Sequence, residues 1–251
     1  MSALPTLFPR VPLKKMDSSM LVFELDRETH RVMPEHCEMI TSAATLASFL
    51  HREQTRFVRG DLPRVPYIEH PLRVALRLIR WGVRNDELVA AALLHDVVED
   101  CSTELLEVFG SDSAGRSCET ALECIHRLYG GAVAEYVGWV TNPVDGTSCT
   151  SRTSYQDHVT ALAASGNMAL LIKASDLKDN AGSIKYQLGH GKDERMLRLV
   201  TKYSPVVGIV AAGLEKLSAD SCPHRLCLEP VVADMTQLAQ SLETITAKYR
   251  L

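Results

Sequence analysis

Residues 88–100, LVAAALLHDVVED, begin as an unbroken apolar run and end in His95 and Asp96, with Glu99 and Asp100 one turn later. On a helix, residues i and i+4 share a face, which sets His95 over Glu99 and Asp96 over Asp100. Four polar groups therefore leave a segment otherwise suited to burial. Neighbouring carboxylates and an imidazole are costly there without compensation, and a bound cation is the obvious compensator. The stretch reads as half of a metal site carried by a core helix.

The flanking sequence repeats the helical period. Residues 39–56 place Ile40, Ala43, Ala44, Ala47 and Leu50 on one face. Gly60, Pro63 and Pro66 impose a loop, and a second helix runs over residues 71–80 with Pro71 in its first turn, where the missing N–H does no harm. Further helices are expected over 119–128, 132–140, 154–164, 194–212 (with a possible break at Pro205) and 230–249. Residues 168–173, MALLIK, fit strand or helix equally. The segment 110–117 is rich in Ser and Gly and interrupts the helical region, either as a rim or lid over a site or as a longer surface loop. No repeat, heptad or alternating strand pattern emerges, so the fold is expected to be all-α.

With 251 residues and 46% hydrophobic content, the chain can bury one sizeable core. A net charge of -4, from 27 basic and 31 acidic residues, argues against general nucleic-acid binding. Arg73, Arg77, Arg80 and Arg84 form a basic stripe that reads as a solvated helix face. Seven cysteines without a C-x-x-C pair, no signal-peptide pattern and no apolar run near eighteen residues suggest a cytoplasmic protein without a membrane span. A homo-oligomer is compatible with these features.

A cation held only by His95 and Asp96 has open positions. His70, fixed in PYIEHPL before Pro71, and Asp176, after the apolar run ALLIKA, are the candidates to fill them. The order H…HD…D resembles the HD superfamily of metal-dependent phosphohydrolases. The extended match is closer to the hydrolase domain of the RelA/SpoT alarmone enzymes and to the stand-alone small alarmone hydrolases. Their motifs resemble QTR, PYIxHPxxVA, AALLHDxxED and IKLADxxxN; this chain has Gln54-Thr55-Arg56, PYIEHPLRVA at 66–75, AALLHDVVED at 91–100 and IKASDLKDN at 172–180.

The resemblance implies an all-α HD-domain helical bundle over residues 40–215, with an N-terminal extension (1–39) and a C-terminal extension containing a helix (216–251). It implies His70, His95, Asp96 and Asp176 as metal ligands, with Mn²⁺ as the favoured ion. Two imidazoles and two carboxylates without a thiolate agree with a borderline or hard cation. Glu99 and Asp100 match the acidic pair that manages protons and water. Arg56 matches a residue near the base or its phosphates, and Asn180 one that contacts the ribose. The implied reaction removes the 3′-pyrophosphate of (p)ppGpp. The alternatives are an HD phosphohydrolase acting on another phosphorylated nucleotide such as NADPH, and a nucleotide sensor without turnover. Too few residues follow Asn180 for synthetase and regulatory domains, so alarmone synthesis is not expected.

The chain departs from the family pattern where basic residues are usual: Phe57, Leu177 and Gly182 stand at those positions, and residues 142–153 are nearly neutral. Lys178, Lys185, His190, Lys192, Arg195, Arg198 and Lys202 are available to replace part of that charge, or to form an ordinary solvated face.

Overall fold

In the computed structural model, residues 11–57, 63–112, 115, 117–142, 152–191, 193–217 and 226–249 are described. The architecture is helical: α1 (Ser18–Val32), α2 (Cys37–Leu50), α3 (Glu69–Arg80), α4 (Asp86–Leu94), α5 (Val97–Asp100), α6 (Ser102–Phe109), α7 (Ala121–Tyr129), α8 (Gly131–Val140), α9 (Arg152–Ser165), α10 (Ala169–Asn180), α11 (Asp193–Lys216) and α12 (Glu229–Tyr249). The one sheet among the described residues is an antiparallel ribbon that pairs β1 (Thr55–Arg56) with β2 (Val65–Pro66). Alternation gives no hint of strands this short.

Local chemistry sets the helix ends. The side chain of Asp17 accepts from the Met20 N–H at the start of α1, and that of Asn85 accepts from the Leu88 N–H at the start of α4. Thr120 and Glu123 form a reciprocal capping box on α7. Gly130, at φ 90°, turns the chain directly from α7 into α8, a conformation that a side chain would oppose. The ambiguous run at 168–173 is helix, buried along its whole length as the first half of α10.

Leu88 to Leu94 are all buried on α4, which packs against α2, α3 and α8; α3 in turn packs on α10 and α1. Met16, Leu21, Leu25 and Met33 join this same core, so the described part of residues 1–39 contributes to it directly. Pro205 lies inside a continuous α11, whose length and apolar composition would allow a membrane crossing; here it packs on α9, α10 and α12.

Two sequence expectations are corrected. Residues 86–100 do not form one regular helix: α4 stops at Leu94 and α5 starts at Val97, placing His95 and Asp96 at the junction. Nor is the arginine stripe of α3 a solvated face. Arg73 and Arg77 are buried because carboxylates of α3 and α10 compensate their charge inside the core, while Arg80 pairs with buried Glu24.

Candidate metal centre and adjoining cleft

Three core helices deliver the polar groups to one point. His70 stands in the first turn of α3, His95 and Asp96 follow α4, and Asp176 lies within α10. Ligand atoms of His70, His95 and Asp176 lie within 4.8 Å of one another. The His70 Nε2 is 3.2 Å from Asp176 Oδ1 and 3.4 Å from Asp96 Oδ2, and the His95 Nε2 is 3.2 Å from Asp96 Oδ2. The two imidazoles meet edge to face, 5.1 Å between centroids.

Both rings are oriented by their other nitrogen. His70 Nδ1 donates to Asp179 Oδ2 at 2.8 Å, and His95 Nδ1 donates to the Ala92 carbonyl at 2.8 Å. This leaves each Nε2 lone pair aimed into the cluster, the usual arrangement of metal-binding histidines. The His95 Nε2 is buried and has no well-directed hydrogen bond, although Asp96 is close. An orphaned imidazole nitrogen facing two carboxylates and a second imidazole fits a divalent cation.

The electrostatics point the same way. Burial opposes charging of His95, but Asp96 and Asp176 outweigh it and push its pKa up to about 9. Burial alone would raise Asp176, yet Lys173 and the two histidines bring it down to about 2. Asp96 is likewise held well below the carboxylate range, since His95, His70 and the Tyr67 hydroxyl outweigh its desolvation. That hydroxyl donates to Asp96 Oδ2 at 2.6 Å. Asp96 and Asp176 are therefore held anionic and draw positive charge, whether a proton on His95 or a cation in its place.

The acidic pair sits one step away. Glu99 accepts from the Asn142 backbone N–H at 2.6 Å and from its side-chain amide at 3.0 and 3.1 Å. Both carboxylates reach solvent, but the surrounding protein desolvates them and Asp96 adds its negative charge, so both pKa values are raised.

Arg56 donates to Asn180 Oδ1 at 2.5 Å, and Asn180 Nδ2 donates to Asp176 Oδ1 at 2.5 Å. Asn180 thus links the cluster to a cavity of about 330 Å³ lined by Arg56, Tyr67, Asn180, Gln187, Arg195 and Tyr203 among others. Of the expected replacement cations, Arg195 lines this cavity, and Lys202 lies 4.4 Å over the Tyr155 ring. Lys178 is engaged by Asp234, Arg198 pairs with Glu194 in solvent, and Lys185 lies over Tyr186; Lys192 falls outside the described residues. At the non-basic position Phe57, the guanidinium of Arg64 stacks on the ring at 4.5 Å and brings a positive charge to the same cavity wall. Leu177 is buried in the core.

The sequence reading missed Asp179, Tyr67 as a partner of Asp96, Lys173 and Asn142. Asp179 had a signal: Glu69, Arg73 and Arg77 recur at helical spacing on an otherwise apolar helix, and such charges need a buried partner. In the Ser/Gly segment, Ser111 bridges Ser117 and the Cys118 N–H donates to the Gly110 carbonyl at 2.7 Å; residues 113, 114 and 116 are outside the described set, as are 143–151.

The sequence and the fold have known counterparts. Residues 67–144 match the family model of the HD domain. The chain is 39% identical over 84 residues to the guanosine-3′,5′-bis(diphosphate) 3′-pyrophosphohydrolase MESH1 of Xenopus tropicalis, covering 32% of this chain and 45% of that protein. It is 45% identical over 80 residues to the guanosine-3′,5′-bis(diphosphate) 3′-pyrophosphohydrolase of Aquifex aeolicus, covering 31% of this chain and 11% of that one. The chain thus spans less than half the length of these curated relatives. A solved structure described as a metazoan ortholog of SpoT that hydrolyzes ppGpp shares the fold, with a TM-score of 0.58 at 22% identity over 81% of this chain and 94% of that chain.

Proposed function

We propose that the chain is a Mn²⁺-dependent (p)ppGpp 3′-pyrophosphohydrolase, akin to the small alarmone hydrolases. The observation that carries this reading is the convergence of His70, His95, Asp96 and Asp176 beside a cavity walled by Arg56, Arg64 and Arg195. The relatives named for this activity support the choice of substrate.

His70, His95, Asp96 and Asp176 would hold the cation, which when bound supplies Lewis-acid polarisation of a phosphate and lowers the pKa of water. Glu99, fixed by Asn142, accepts a proton from the attacking water, and Asp100 assists in orienting that water. The water oxygen bonds to the phosphorus next to the ribose 3′ oxygen. The P–O3′ bond breaks, its electron pair stays on O3′, and a proton completes the hydroxyl, giving pyrophosphate and GDP or GTP. Arg56 binds the nucleotide by stacking and paired donation, and Asn180 contacts the ribose. Residues 40–215 form the hydrolase domain, flanked by the two extensions. A reducing cytoplasm suits the free thiols of Cys37, Cys101, Cys118, Cys124 and Cys227.

The test is incubation of Mn²⁺-loaded protein with ppGpp and with NADPH, with chromatography of the products. Appearance of GDP and pyrophosphate, abolished by His95→Ala, is the expected result. Intact ppGpp beside phosphate released from NADPH would transfer the chemistry to another nucleotide, and no turnover of either would favour a sensor.

A further inference from the structure

Beside the metal centre, the N-terminal segment inserts a lysine against the core. Lys14, on the tight turn Leu13–Lys15, donates from Nζ to the Asp179 carbonyl at 2.7 Å and to Ser183 Oγ at 2.5 Å, and it lies 2.9 Å from Asp179 Oδ1. The Asp179 side chain is wholly buried. Its Oδ2 accepts from His70 Nδ1, while Arg73 Nε reaches Oδ1 at 2.9 Å and Arg77 Nη2 reaches it at 3.3 Å.

These contacts fix the plane of one carboxylate. Oδ2 accepts from His70 Nδ1 and, at 3.2 Å, from Arg73 Nη2, while Oδ1 lies against Lys14, Arg73 and Arg77. Lys14 alone among the three also binds the backbone of Asp179, whose carbonyl, one of the last in α10, accepts from Lys14 Nζ and from the Ser183 hydroxyl at 2.6 Å. A cation at a helix C-terminus is favoured by the exposed carbonyls and by the macrodipole. Lys14 therefore secures the turn that carries Asp176, Asp179 and Asn180 together.

We infer that Lys14 is a positioning residue for the metal centre, acting on His70 through Asp179 and making the N-terminal segment part of the site's supporting framework. The inference rests on the metal-centre reading above. A partner in this outer position typically changes cation affinity about 10- to 100-fold. Arg73 and Arg77 still neutralise Asp179 when Lys14 is replaced, so the loss falls on orientation more than on charge.

The experiment measures Mn²⁺ binding by the electron paramagnetic resonance of free ion, and the visible absorption of the Co²⁺-substituted site, in the full chain. Lys14→Met is expected to weaken Mn²⁺ binding about 10-fold and to shift the Co²⁺ band. Lys14→Arg should restore most of both. Leu21→Ala, which loosens the packing of the same segment without touching Asp179, should leave both unchanged. Wild-type affinity and an unshifted band in Lys14→Met would overturn the inference, as would an equal loss in Leu21→Ala. If Lys14→Met does not fold, Lys14→Gln, which keeps a donor of similar reach, takes its place: weaker binding with a shifted band supports the inference, and wild-type behaviour overturns it. Failure of the wild-type chain to bind any divalent cation refutes the metal-centre reading itself, and this inference with it. The wild-type arm alone reports that outcome.

Discussion

Glu99 and Asp176 are carboxylates of one small region, yet their surroundings push them in opposite directions. Lys173 and two histidines keep Asp176 anionic against its burial, whereas desolvation and the Asp96 charge make Glu99 readier to take a proton. Their environments thus suit them to different tasks, one to hold a cation and the other to move a proton. On this basis Glu99→Gln, which keeps the shape and still meets Asn142, should lower kcat by roughly 10²- to 10⁴-fold with cation affinity unchanged. Paired turnover and Mn²⁺-binding measurements check this; a matching loss of affinity would instead make Glu99 a support of the ligands. The motif order singled out His70, His95, Asp96 and Asp176, which the fold brings together. Asp179 and Arg73 fall at positions the motifs leave open, PYIxHPxxVA and IKLADxxxN; the charges on α3 signal that a buried partner exists, but only the fold across the core identifies it as Asp179.

Helix positions were legible where apolar residues recur with a 3.6-residue period, as in α2 and α12, and ambiguous where both faces are buried, as in α10. A helix enclosed on all sides has no polar stripe to reveal its period. The junction after Leu94 was hidden for a related reason: His95 and Asp96 both keep helical backbone angles, and hydrogen bonding, not composition, interrupts the element. Packing between elements leaves a sharper mark at Gly213 on α11. A Cβ there would stand 2.8 Å from the Ala163 Cβ on α9 and 2.9 Å from Leu170 Cδ2 on α10. Gly213→Ala should therefore push the helices apart and cost about 1–3 kcal/mol, despite the gain in helix propensity. Urea denaturation measures it, and a variant as stable as wild type would mean that this crossing yields easily.

The domain as a unit extends beyond its ligand-bearing helices, because α1 is fastened to α3 by charge as well as by apolar packing. Glu24 is buried, bound by Arg27 Nη2 at 2.6 Å and by Arg80 Nη2 at 3.2 Å. Burial would raise its carboxyl, but the two arginines outweigh this and lower it; Arg73, Lys14 and His70 do the same for Asp179. A carboxyl whose pKa falls on folding stabilises the native state above its unfolded value, about 4.3 for glutamate, and loses that contribution as pH falls through the folded value. The urea midpoint should accordingly drop between about pH 6 and about pH 3, and Glu24→Gln should be less stable at the upper end with a shallower decline. An unchanged slope would show that Glu24 titrates alike in both states. The β1–β2 ribbon has a different consequence. Because Thr55↔Pro66 and Arg56↔Val65 close the strands before the intervening residues begin, the position of Arg56 is uncoupled from the length of what lies between them. Each doubling of such a connection adds only about 0.6 kcal/mol of closure entropy. A tag or reporter peptide grafted into that connection, clear of Phe57 and Arg64 in the cleft wall, would therefore leave the ribbon register intact.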